Sequence, residues 1–304
     1  MIPESQLDTW SHQGAITTAK ATHESIRNAL NPLEVYLQGS YRNAVNPLEV
    51  YLQGSYKNNT NIHGDSDVDV VVQLNSSFQY DPSKLSEPEN VIFKQRYSNA
   101  TYLWENFRGD ALKALQAYYG ASVISEGNKS IKIVGGSGRL PADVVVCIQY
   151  RKDKHFSNIN SEQFFEGIAF YTHPENRNII SFPKLHYDNG VRKMSYTKGG
   201  YKSIVRLFKN ARTYLFDHNV IAKDLAPSYF LECLIYNVPN DKFKNNYQNT
   251  FCNVVNWLAK VNFNNFVCQN EQTSLFGNST EQWSIENAKL LTQKFIELWN
   301  NWNN

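Results

Sequence analysis

The chain has 304 residues, 41% of them hydrophobic, enough apolar material for two domains or one large elaborated one. Thirty basic against 28 acidic side chains leave a net charge of +2, which excludes a nucleic-acid coat or a charged membrane binder and makes any anion site local. No apolar run reaches membrane-spanning length, and the polar opening MIPESQLDTW predicts no signal peptide.

From Asp8 to Leu30, the residues Trp10, Ile16, Ala19, Ile26 and Leu30 recur at helical spacing and predict a helix. Residues 27–41 then repeat as 42–56, RNALNPLEVYLQGSY against RNAVNPLEVYLQGSY, with one difference, Leu30 against Val45. A solitary fifteen-residue repeat is no solenoid, and Pro32 and Pro47 argue against one continuous helix through both copies. The first copy is expected to extend the helix or to loop out. The second is expected to supply a strand, VYLQGS, ending at Ser55. DVDVVVQL from Asp67 reads as the next strand, after the turn-forming YKNNTNIHGDS. Tyr102 to Tyr119 reads as a helix closed by Gly120. Short β-rich runs follow near Ser122, near Ile131 and from Asp143, and GIAFY and NIISF add a last pair.

Beyond Gly200 the pattern turns helical, over Tyr201–Phe216, Pro227–Tyr236, Tyr247–Val261 and Ser284–Trp302. Asn240 to Asn249 reads as a surface loop and the WNNWNN end as frayed. The expected architecture is α/β: a mixed-sheet domain with an N-terminal helix over residues 1–160, then a mainly helical lobe over 161–304. Cys147, Cys233, Cys252 and Cys268 form no C-x-x-C pair. Cys147 and Cys233 lie in apolar runs and are expected as buried thiols, without zinc or disulfides, in keeping with a reducing cytoplasm.

The chemistry concentrates in GSYKNNTNIHGDSDVDVVVQL. Gly54-Ser55 ends a strand and can bring backbone amides and a hydroxyl close to a phosphate. Asp67 and Asp69 stand two apart, so strand alternation puts both carboxylates on one face and Val68 on the other. Two such carboxylates repel unless a cation sits between them, and Mg²⁺ prefers oxygen ligands of this kind together with substrate phosphates. Asp143 opens the apolar strand of PADVVVCIQ; laid beside the first, it adds a third carboxylate. That set describes a two-metal nucleotidyl-transfer site. Taken alone, Asp67 and Asp69 also fit solvated strand-end residues. Asp65 is read as shaping the Gly64-Asp65 turn, and His63, His173 and His186 are assigned loop or surface roles.

Read as a whole, GSYKNNTNIHGDSDVDVVV followed by PADVVVC resembles the nucleotidyltransferases of the polymerase β superfamily. More closely it resembles the bacterial cGAS/DncV-like enzymes (CD-NTases). FPKLHYDNG, YKSIVRLFKNAR, PSYFLECLIYNVP and LFGNSTEQWSIENA are similar to that family too, so the resemblance covers nearly the whole chain. It implies a polymerase β-like palm and a helical lobe closing a nucleotide cleft. It also implies cyclic di- or trinucleotide synthesis from nucleoside triphosphates in anti-phage defence, and a downstream effector activated by the product. Asp67, Asp69 and Asp143 are then the metal ligands and catalytic residues, for two Mg²⁺ ions or Mn²⁺ in their place. In the family the Gly of Gly-Ser stands about a dozen residues before the first of these acids. Gly54 lies 13 residues before Asp67 and Gly39 lies 28 before it, so Gly54 and Ser55 of the second copy match and Gly39 and Ser40 are displaced.

Between Lys184 and Arg212 stand eight basic residues and one acid, Asp188. Lys202, Arg206, Lys209 and Thr213 share one helical face, which reads either as an ordinary solvated face or as a triphosphate cradle. The resemblance points to Lys209, and after it Lys202, for the phosphates. It also points to Ser228 on a phosphate and Tyr229 stacked on a base, where plain geometry offers a helix cap and a core residue. Two rival activities share these residues: a linear or RNA-terminal nucleotidyltransferase, and a catalytically silent nucleotide sensor. Neither a membrane nor a nucleic-acid partner is expected.

Overall fold

The computed structural model describes residues 1–14, 16–40, 47–62 and 67–302. In chain order its elements are α1 (Glu4–Ser11), α2 (Thr17–Ser40), β1 (Leu48–Leu52), the short α3 (Gly54–Asn58), β2 (Val68–Asp81), α4 (Glu87–Arg96), α5 (Trp104–Tyr119), β3 (Ile124–Glu126), β4 (Ile131–Ile133), β5 (Ala142–His155), β6 (Gln163–Tyr171), β7 (Asn178–Ser181), α6 (Pro183–Tyr196), α7 (Tyr201–Asp217), α8 (Ser228–Tyr236), α9 (Tyr247–Leu258) and α10 (Ile285–Asn300). They form two compact units. A sheet unit takes Ala15–Tyr56 and Ser66–Lys184; a helical unit takes Met1–Gly14, Lys57–Asp65 and Leu185–Asn304.

The sheet is mixed, as expected. Its order is β1-β2-β5-β4-β3, with β6 on β5 and β7 on β6. Only the β2–β5 pairing is parallel among these ladders. Such a pair needs a crossover, which residues 82–141 provide. Val68, Val70, Val71, Val72 and Leu74 are all fully buried, because β2 is covered on both faces, and a strand covered twice reads as a run rather than an alternation. β5 is fourteen residues long; Ala142–Val144 pair with β4, and Ile148 onward pairs with β6. That second pairing carries the sheet through Ser181, beyond residue 160, where the sheet domain was expected to end. Trp104 of α5 donates its indole N–H to the Val146 carbonyl at 2.8 Å and pins that helix to β5.

The helical unit is cored by rings. Phe208 of α7 stacks on Phe251 of α9 at 4.9 Å and meets Phe295 of α10 edge-on at 5.1 Å. Trp302, expected in a frayed end, packs on Trp10 at 5.4 Å; residues 303–304 lie outside the described residues. The helix expected over Asp8–Leu30 is two helices. Gly14 N donates to Asn61 O at 3.1 Å, and a Cβ there would lie 2.7 Å from Ile62 O, so the chain leaves helical geometry to make this approach. α2 then runs on through Pro32 to Ser40, taking residues 27–40 of the first repeat copy with it.

Candidate active site

In the sheet unit, β1 and β2 run antiparallel, Leu52 opposite Val70, and Gln53 N donates to Asp69 O at 3.0 Å. That contact delivers Gly54 to the acid. Gly54 has φ +65°, a backbone region side chains rarely adopt, and a Cβ on it would lie 2.0 Å from Asp69 Oδ2. Only glycine fits. Ser55 follows on α3. Gly39, its counterpart in the first copy, lies within α2, and the side chains of Gly39 and Ser40 fall outside the described residues.

Asp67 is exposed just ahead of β2, Asp69 is half-buried, and Val68 between them is fully buried, as alternation requires. β5 lies beside β2 with Asp143 directly opposite Asp69. Ser130 Oγ donates to Asp143 Oδ1 at 3.0 Å, and Lys132 of β4 stands opposite Asp143 on its other side. The strand arrangement on which the third carboxylate depended is therefore present. Among the described residues no three acid, histidine or cysteine side chains close into a ready-made metal cage. Asp67, Asp69 and Asp143 offer oxygen ligands only, Asp69 and Asp143 face each other across the strands, and Gly54 lies against Asp69. Mg²⁺ suits such a set, since it keeps several waters and shares its shell with phosphates. His63, Gly64 and Asp65 lie outside the described residues.

The helical unit holds Lys202, Lys209, Ser228 and Tyr229. The basic face of α7 is no solvated surface: Lys202 is 8% exposed and Lys209 1%. Arg206 donates to Ser11 O at 2.6 Å and to Asn59 O, and so staples two loop segments. Lys209 Nζ lies 3.3 Å from Glu232 Oε2 and donates to Thr60 O at 3.1 Å. Glu232 also takes the Thr60 hydroxyl at 2.8 Å, with His186 Nε2 at 3.1 Å. Burial alone would raise this carboxyl. The Lys209 ammonium first, then His186 and Thr60, outweigh burial and hold it at about 2. An ammonium this deep needs such a partner, and Glu232 and Thr60 supply it.

Ser228 opens α8 after Pro227, and its hydroxyl accepts from Arg212 Nη2 at 3.2 Å. Tyr229 is not a core residue: it is 42% exposed and its ring stacks on His186 at 5.5 Å with the planes 25° apart. A ring held flat and open on one side can take a base. His186, expected in a loop or surface role, is buried in α6 instead; His173 is exposed, as expected. Sequence reasoning missed Glu232 and Thr60. The available signal was an acid inside the apolar run YFLECLIY, which a buried helix tolerates only with a cation beside it. The four cysteines are free thiols, and Cys147 and Cys233 are fully buried.

Residues 188–300 match the model of the cGAS/DncV-like nucleotidyltransferase C-terminal helical domain. Over 309 aligned residues the chain is 50% identical to the cyclic UMP-AMP synthase of Rhodothermus marinus, covering 99% of each. The chain belongs to the cGAS/DncV-like nucleotidyltransferases. Within that family it is also 41% identical to the cyclic nucleotide synthase CdnE01 of Staphylococcus haemolyticus, over 99% of each chain. The solved R. marinus CdnE c-UMP-AMP synthase, with Apcpp and Upnpp, matches this nucleotidyltransferase with a TM-score of 0.87 at 48% identity, over 100% of this chain and 98% of that one. The Elizabethkingia meningoseptica CdnE cyclic dinucleotide synthase, with GTP and Apcpp, matches with 0.73 at 31% identity over the full length of both. The palm-type mixed sheet and the helical domain are thus family features.

Proposed function

We propose that this nucleotidyltransferase joins two or three nucleoside triphosphates into a cyclic oligonucleotide, by successive attacks of a ribose hydroxyl on an α-phosphate, each releasing pyrophosphate. The supporting observation is the facing pair Asp69 and Asp143, with Gly54 pressed against the Asp69 carboxylate. Asp67, Asp69 and Asp143 would hold two Mg²⁺ ions, or Mn²⁺, which would supply neutralisation of phosphate charge and a more acidic attacking hydroxyl. Asp143 is assigned to the attacking hydroxyl as the group that would receive its proton. Gly54, having no side chain, lets the Ser55 amide and hydroxyl reach a phosphate. In the helical unit Ser228 is assigned to a phosphate and Tyr229 to a base, while Lys209 acts through Glu232 as a positioning residue for α8.

The names of the relatives make uridine and adenosine triphosphates the first pair to try. The product would act as a second messenger in anti-phage defence, read by a separate effector. Among the described residues no helix is long and apolar enough to cross a membrane. The test is incubation with each labelled triphosphate and Mg²⁺, then digestion with phosphatase. A phosphatase-resistant product carries no terminal phosphate, as a ring requires. A product that phosphatase trims to a less charged oligonucleotide with its bridging phosphate intact would make the enzyme a linear transferase, and none at all would leave the silent sensor.

A further inference from the structure

At the opposite end of β2 and β5 from the acids lies a cavity of about 690 Å³, within the size range of small-molecule sites. It belongs wholly to the sheet unit. Leu74 and Phe78 of β2 pair with the consecutive residues Ile148 and Gln149 of β5, so Asn75, Ser76 and Ser77 bulge out of the ladder and line the cavity instead. Ser77, itself buried, holds the bulge by donating to Tyr102 O at 2.8 Å. β5 contributes Arg151, whose side chain is 14% exposed. Its Nε donates to Gln149 Oε1 at 2.8 Å, and its Nη1 to Tyr97 OH at 3.0 Å and Glu162 Oε1 at 2.8 Å. The guanidinium lies 3.9 Å from the centre of the Phe78 ring. These contacts fix the fork and use the N–H bonds of Nε and Nη1, while Nη2 keeps its own with no acceptor among the described residues. The described residues of the lining also include Lys94 and Arg96, both exposed, and no acid. Tyr80, half-exposed, adds a ring backed by Phe93 at 4.6 Å.

We propose that this cavity is a second nucleotide site, which takes a nucleoside phosphate with the phosphate on Arg151 Nη2, Lys94 and Arg96 and the base on Tyr80. Glu162 offsets the Arg151 charge, so Lys94 and Arg96 supply the attraction and Arg151 the directed donors. Asp153, fully buried two residues further on, is pushed up to about 7 by burial first and then by Glu162, so at neutral pH it opposes an anion less than an ordinary carboxylate would. An acid-free lining with an open ring suits a ligand that is anionic at one end and aromatic at the other, and the hydroxyl and amide side chains of the bulge suit a ribose. Asp143 and Arg151 stand on one strand with residues 144–150 between them, roughly 26 Å at about 3.3 Å per residue. An occupant here therefore takes no part in the transfer step. Two sources share this chemistry: free mononucleotides and the enzyme's own cyclic product. Only the second rests on the proposed reaction.

The test uses the full chain in EDTA, with AMP, UMP, cyclic UMP-AMP and inorganic phosphate each titrated by calorimetry. The wild type should bind at least one of the nucleotides saturably. Its affinity should fall roughly tenfold or more in Tyr80→Ala and in the double variant Lys94→Met, Arg96→Met. Arg151→Lys, which keeps the charge beside Glu162 and removes the fork, should weaken it too. Asp69→Asn and Tyr229→Ala should leave it unchanged, which separates this cavity from the catalytic site. The substituted side chains Tyr80, Lys94 and Arg96 are exposed or half-exposed, so these variants should keep the wild-type melting temperature and the wild-type initial rate of turnover. No saturable binding by the wild type, unchanged affinity in both Tyr80→Ala and the double variant, or inorganic phosphate binding as tightly as the nucleotide would overturn the site. Binding of mononucleotides alone assigns it to the free pool, and binding of cyclic UMP-AMP alone to feedback by product. In the first case the site stands even if the protein forms no cyclic product.

Discussion

LEVYLQGS occurs twice, at 33–40 and at 48–55, and the two copies adopt different structures. The first lies in α2 and the second forms β1, Gln53 and the start of α3. In α2, Leu33 and Leu37 are buried one turn apart, continuing the stripe of Ile26 and Leu30, while Val35 and Tyr36 are 62% and 59% exposed. In β1 the partners change: Leu48 faces Leu74, Tyr51 donates its hydroxyl to Gln73 Oε1 at 2.8 Å, and Glu49 meets Lys184 at 2.8 Å. The segment satisfies both periods at once, with leucines at i and i+4 for a helix and a β-branched, aromatic run for a strand. Local propensity therefore does not choose; the neighbours do. The first copy follows a helix already under way. The second lies close enough in sequence to β2 to pair with it. The helix carries Pro32 in its interior, at a cost of about 3 kcal/mol, so burial of Leu33 and Leu37 must offset it.

The comparison breaks most sharply at the acids and the glycines. Asp67→Asn with Asp69→Asn should abolish product while leaving circular dichroism unchanged; undiminished turnover would remove the site. Gly54→Ala should lower turnover by more than about a hundredfold, since its Cβ would occupy the place of the Asp69 carboxylate. Gly39→Ala should leave turnover alone, and equal losses in both variants would mean that the copies share the work. Next comes the helix. Leu37→Ala should cost about 2–5 kcal/mol in chemical denaturation, because the side chain is fully buried; a near-zero cost would mean that the first copy loops out. Deleting Arg27–Tyr41 removes Pro32 along with the buried leucines, so the two effects oppose each other. The product should persist, with a smaller stability change than in Leu37→Ala. The smallest effect is at the tyrosines. Tyr51→Phe should cost about 0.5–1.5 kcal/mol for its hydrogen bond to Gln73, and Tyr36→Phe close to nothing.

The same contrast explains how much could be read beforehand. Strands β1, β2 and β5 were legible because buried valine runs and a Gly-Ser break have few other uses. The helical core was legible from its period. Which copy would form the strand could be read only by counting residues to Asp67, and the fate of the first copy was left between helix and loop. α6 was missed. Its buried residues are His186, Asn189, Gly190 and Lys193, a polar stripe at helical spacing that no apolar pattern reveals. α4 was missed because it buries only Phe93; its signal was the Ser86–Glu89 capping box ahead of it. The basic face of α7 was seen, but its burial was not. Burial was decided by Glu232 and Thr60, residues far from Lys209 in sequence, and a one-dimensional pattern does not bring them together.

Facing each other across parallel strands, Asp69 and Asp143 have their separation set by the backbone ladder, with neighbouring strands about 4.8 Å apart. The sheet works as a ruler whose graduations are peptide hydrogen bonds rather than side-chain lengths. A longer acid at either mark keeps the charge but overshoots by one methylene, and Gly54 leaves no slack on the Asp69 side to absorb it. One extra carbon within this pair should therefore cost more turnover than fifteen extra residues upstream of it.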